Sequence, residues 1–199
     1  MATAETNVLD LRRTVTVVAA ANLAYFGVEF AVALAIGSVS LFADSIDFLE
    51  DASVNLLILL AFNWRPKARA RLGMALAAIL LAPTLATLWT AWNKLGAIAP
   101  PAPLPLTLAG LGALMVNLSC AFLLARHRKS RGSLSRAAFL SARNDAVANI
   151  AITAGGLFTV LVPTAWPDLL IGLSIAALNA GAAREVWEAA RLEYANAVP

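Results

Sequence analysis

The residues of this chain best placed to do chemistry are acids in the wrong solvent. Glu29 lies in one long apolar run, Asp44, Asp47, Glu50 and Asp51 lie in the next, and Asp145 lies in a later one beside Asn144, with Asn149 one turn on. A charge at the centre of a bilayer costs roughly 2.5–3.5 kcal/mol on insertion scales, so Glu29, Asp47, Asp51 and Asp145 left ionised and unpaired there would together cost on the order of 10 kcal/mol. Protons, cations or water in a cavity must compensate. Spacing narrows the chemistry. At 100° per residue, Asp44, Asp47 and Asp51 fall within about 60° of one another on a helix, with Asn55 extending the stripe and Glu50 pointing elsewhere. Ser141, Asn144, Asp145 and Asn149 share an arc of about 140° on theirs, from which Arg143 points away. Asn22 and Glu29, seven residues apart, share a third face.

Depth agrees. Asp51 lies about twelve residues from one end of its segment, roughly 18 Å, and Asp145 about nine residues from Arg136 at the other end of its own, roughly 13 Å. Both reach the middle of a bilayer. Carboxylates and amides meeting there form a ligand set suited to a divalent cation.

The elements that must position these side chains are membrane helices. Hydrophobic residues make up 60% of the 199 and charged residues 14%, against about 45–50% and about 25% in soluble domains. Such a chain cannot cover a soluble surface with charge. Six apolar segments of spanning length follow, at about 14–36, 39–64, 72–92, 104–125, 137–161 and 166–183, with Pro83 expected to kink the third. The expected fold is all-α, a polytopic membrane protein forming a single transmembrane domain over 1–199, with no cytoplasmic domain after the sixth helix.

Arg12 and Arg13, the 65–71 tract, the 126–136 tract, and Arg184 with Arg191 flank alternate ends of the segments. The other links hold only Lys94, so the positive-inside rule puts both termini in the cytoplasm. Trp64 and Trp187 at one interface, and Trp89, Trp92 and Trp166 at the other, fit an aromatic belt. The net charge of +3 is explained by these tracts and points to no nucleic acid. Cys120 is the single cysteine, which excludes intrachain disulfides and cysteine metal clusters. The N-terminus has no pattern of a removable signal peptide.

The run GSVSLFADSIDFLEDASVN resembles the second helix of the cation diffusion facilitator (cation efflux) family, proton-coupled exporters of zinc, iron and manganese. In that family two metal ligands lie four apart as D-x-x-x-D or H-x-x-x-D, and Asp47 and Asp51 match the pair. SARNDAVANIAI resembles the family's fifth helix, where Asp145 matches the second ligand and Ser141 stands at the first, usually His or Asp. Asn22 and Glu29 look like the family's polar positions in helix one, and WPDLLIGLSIAALNAGAAREVWEAA looks like its sixth helix. The likeness implies a homodimer in a membrane, expected to be the bacterial inner membrane. Without His at the site, ligation is all oxygen, which favours harder cations.

The expectation is therefore a divalent cation efflux transporter and not an enzyme, working by cation/proton antiport. Its metal ligands are Asp47, Asp51 and Asp145, with Asn144, Ser141, Asn149, Asp44, Glu29 and Asn22 as auxiliary metal or proton-pathway groups. The partners are lipid, protons and a divalent transition metal as substrate; no prosthetic group is expected. Two rivals stand beside it: a non-transporting metal sensor or scaffold of the same fold, and an intramembrane aspartyl protease built on Asp51 and Asp145. The blander readings are hydrogen bonding between helices by protonated acids, and packing for Asn22, Glu29, Asn117 and Cys120.

Overall fold

The apolar segments fold into six α-helices for local reasons that can be named. The computed structural model describes residues 2–61, 64–95, 99–125 and 132–196, among which there is no strand. The helices are α1 (Ala2–Ile36), α2 (Val39–Ala61), α3 (Pro66–Leu95), α4 (Pro103–Ala125), α5 (Gly132–Leu161) and α6 (Trp166–Asn196). The expected segments sit inside these elements, except that α2 stops at Ala61, short of Trp64. The helices overrun hydropathy mostly at the end of the bundle that carries the basic tracts: α1, α3 and α5 begin earlier there and α6 runs on to Asn196. Hydropathy marks where a helix would meet lipid, whereas its hydrogen-bond ladder continues into polar turns. α3 passes through Pro83 without a break in its helical assignment.

Arg12–Ile36, Pro103–Ala125 and Trp166–Asn196 are long and apolar enough to cross a membrane, and the apolar part of α5, Asp145–Leu161, is shorter. α2 differs from them in holding four acids within one eight-residue stretch, Asp44 to Asp51. The outer surface is lipid-like: Leu161 is 81% exposed, Met115 71% and Leu178 70%. Side chains that would be buried in water make up much of the bundle's exterior, as a hydrocarbon solvent requires.

Two residues join α1 to α2. Gly37 adopts φ +64°, a conformation other residues rarely take, and Ser38 N donates to Ala33 O at 3.0 Å, the Schellman closure of α1. Ser38 then caps α2, its hydroxyl accepting from Leu41 N at 3.1 Å. α4 and α5 pack along their lengths through small residues. A Cβ on Gly110 would lie 2.9 Å from Thr153 Oγ1, and one on Gly156 3.1 Å from Thr107 N. α1 leans on α4, where the Tyr25 hydroxyl donates to Ala109 O at 2.6 Å. α3 lies along α6, and at the basic end the Tyr194 ring sits under Lys67 and Arg71, 5.4 and 5.6 Å from its centroid.

The result is a group of four helices, α1, α2, α4 and α5, with an α3–α6 pair seated mainly against α2. Leu41, Phe42, Leu106, Ile152 and Ile175 form a dry core in the half nearer the charge-poor links. A smaller cluster of Val18, Cys120 and Leu124 joins α1 to α4 in the other half.

Candidate metal centre

The α2 stripe is set by helical geometry, and the neighbours of each carboxyl decide what it can do. Asp47, Asp51 and Asp145 line one cavity of about 350 Å³ between α2 and α5 on one side and α6 on the other. The expected ligands are therefore brought to one space from two helices. Glu50 also lines it, although helical spacing turned it off the stripe. From α6 come Asn179 and Glu185, neither of which the sequence had marked. The lining reaches Gly181 and Glu185, both exposed, towards the basic end.

Each remaining candidate has a definite place. Asn22 is fully buried; its Nδ2 donates to Asp51 Oδ2 at 3.5 Å and its Oδ1 accepts from Cys120 Sγ at 3.6 Å. Asn22 thus supports a ligand candidate from behind, as positioning residues at metal sites do. Asn55, the continuation of the stripe, turns back to its own helix and donates to Asp51 O at 2.7 Å. α5 carries Ser141 and Asn144, but their side chains lie outside the described residues.

Asp44, Asn149 and Glu29 form a second layer, closed off from the cavity. Asn117 Nδ2 donates to Asn149 Oδ1 at 2.9 Å, and Asn149 Nδ2 donates in turn to Asp44 Oδ2. The Glu29 carboxyl is buried close to Asp44, with no hydrogen bond between them. Both Glu29 oxygens and Asp44 Oδ1 are buried with no donor on them. Asn117, Asn149 and Asp44 tie α4, α5 and α2 together, and Glu29 brings α1 beside them. Asp44 thus lies behind the cavity-lining part of the stripe, in this buried network.

Among the described residues no three Asp, Glu, His or Cys side chains are gathered closely enough to grip a metal at once. The carboxyls instead line a shared space, Asp145 from α5 and the pair from α2. Such an arrangement of hard oxygen donors suits a cation with a flexible shell that keeps part of its water. Mutual repulsion of the carboxylates favours a divalent cation or protons within the cavity. The α2 stripe and Asp145 were legible from spacing; Glu185 and Asn179 carried no signal, since α6 looks like an ordinary apolar helix with a polar tail.

The family model described as the cation efflux transmembrane domain matches residues 15–192 of the chain. A search of curated proteins finds no match.

Proposed function

Since the chain belongs to the cation efflux family, whose members are membrane transporters of metal cations, we propose that it exports a divalent cation in exchange for protons through Asp47, Asp51 and Asp145. The observation that carries this reading is the shared cavity: acids from α2 and α5 line one space that reaches the basic end of the bundle. The positive-inside rule turns that end to the cytoplasm, with six spans and both termini inside. A cytoplasmic cation then meets carboxylates about halfway across, with Asn22 holding Asp51 from behind. Assembly as a homodimer in the bacterial inner membrane belongs to the same proposal and follows from the family likeness.

Metal and protons compete for the same oxygens, so loading one releases the other. Exposure to the far side follows if the α3–α6 pair and the four-helix group rock about the site. The seam between them is where the cavity lies. All-oxygen ligation favours the harder divalent cations over zinc.

The test is metal-dependent proton flux in reconstituted vesicles, screening Mn²⁺, Fe²⁺, Co²⁺, Ni²⁺, Zn²⁺ and Cd²⁺ beside Asp47→Ala. Flux for at least one ion, lost in the folded variant, is expected. Undiminished flux in Asp47→Ala overturns the site, and absence of flux for every ion from folded protein overturns transport in favour of a binding-only scaffold.

A further inference from the structure

The cavity reaches one end of the α2–α6 seam only; at the other end the seam is shut by a single carboxylate. Asp168, in the first turn of α6, has a side chain with no exposed surface and takes five donors. Its Oδ1 accepts from Ser38 Oγ at 2.6 Å, Ser40 Oγ at 2.7 Å and Ser40 N at 3.1 Å. Its Oδ2 accepts from Val39 N at 3.0 Å and Lys94 Nζ at 2.8 Å. Lys94, at the end of α3, also donates to Gly37 O at 2.6 Å. Beneath this knot Gly172 brings α6 against the α2 backbone, where a Cβ would lie 2.7 Å from the Val39 carbonyl carbon. Val39, Ala91, Ala165 and Leu169 pack around it as a separate dry cluster.

We propose that Asp168, Lys94, Ser38 and Ser40 form the latch that keeps the charge-poor end of the transport path closed and must part for the cation to leave. The inference rests on the transport reading above. Three features of the knot support a latch over a permanent rivet. It joins the α3–α6 pair to the α1–α2 turn, across the seam that the cavity follows. Its bonds are few, polar and charge-assisted, so they part together instead of deforming gradually. The groups it satisfies are the free amides at the start of α2 and a buried ion pair, all of which water can satisfy once the end opens. Opening exchanges these bonds for bonds to water, so each costs only the modest net worth of a hydrogen bond and not its full strength.

The experiment places one cysteine at Leu169, 1% exposed, in a Cys120→Ser background, with the full chain in lipid nanodiscs. Its rate of reaction with a water-soluble maleimide is measured alone and with Asp168→Asn, Lys94→Gln or Ser40→Ala. A cysteine at Ala113, fully buried in α4, reports general loosening. Labelling at Leu169→Cys should rise roughly tenfold or more with Asp168→Asn or Lys94→Gln, the scale of losing hydrogen bonds to a charged group, and less with Ser40→Ala. The Ala113→Cys rate should not move. Unchanged labelling at Leu169→Cys in Asp168→Asn and Lys94→Gln overturns the latch, as does an equal rise at Ala113→Cys in all three variants. Because labelling is read without flux, a chain that carries no metal at all would defeat the transport reading while leaving this result to stand or fall separately.

Discussion

Neighbouring acids on α2 have opposite surroundings, and the difference of three residues between Asp44 and Asp47 decides it. Asp47 lines the cavity, whereas Asp44 is wholly buried against Glu29 and Asn149. Substitution should separate them. Asp51→Ala should abolish metal binding measured by calorimetry on folded protein, and retained binding at parental affinity would remove Asp51 from the site. Asn149→Ala should act on stability instead: it strands the Asn117 amide and the Asp44 carboxyl, at about 1–3 kcal/mol for each buried group left unpaired. A lowered thermal unfolding midpoint would show this, and an unchanged midpoint would mean that water replaces the lost amide. Spacing could group Asp44 with Asp47 because it measures angle about a helix axis; it does not register which neighbouring helix closes over each turn. The same limit hid Glu50, which lines the cavity although it lies off the stripe.

Helices were the most legible part of the chain, because a twenty-residue apolar run has few alternatives in lipid. Their pairing was not legible. What fixes it is glycine and alanine at crossing points, and these residues are abundant throughout an apolar sequence. Gly172 sits on the backbone of Val39 and Ser40, and Gly156 on Thr107. Gly172→Val should therefore separate α6 from α2 and destabilise the fold by about 1–3 kcal/mol, the usual cost of overpacking. Gly27→Ala, where an added methyl meets nothing within 4 Å, should be neutral or slightly stabilising, since alanine is the better helix former. Equal midpoints for Gly172→Val and the parent would show that α2 and α6 are free to slide. Asp168 was passed over for a related reason: an acid two residues into a helix reads as an ordinary favourable first-turn charge, and only the fold brings the start of another helix onto it.

For the molecule as a whole, the proposed exchange links metal and proton binding through the carboxylates that share the cavity. Lowering the pH should weaken metal binding, by up to about tenfold per pH unit for each proton displaced. Cation-induced thermal stabilisation, about 2.7 kcal/mol at a hundredfold excess over the dissociation constant, should shrink in step. A metal affinity flat across pH 5.5–8 would exclude shared carboxylates as the means of exchange. The layering of the bundle makes such exchange compatible with a tight membrane: one half is entered by the cavity, and the other is filled by Leu41, Phe42, Leu106, Ile152 and Ile175.

The turn at Gly37 has a mechanical consequence. Two residues, one locked by its +64° backbone angle and the other capping the next helix, leave no slack between α1 and α2. The two helices form a stiff fork, so Glu29 and Asp44 keep their spacing whenever either moves. Asp145 and Asp47 stand on two helices joined differently, by the bond from Asn149 to Asp44 one turn away. Lengthening the fork's hinge with inserted glycines would uncouple its tines: the dry carboxyl pair would drift while the cavity acids on α2 stayed in place.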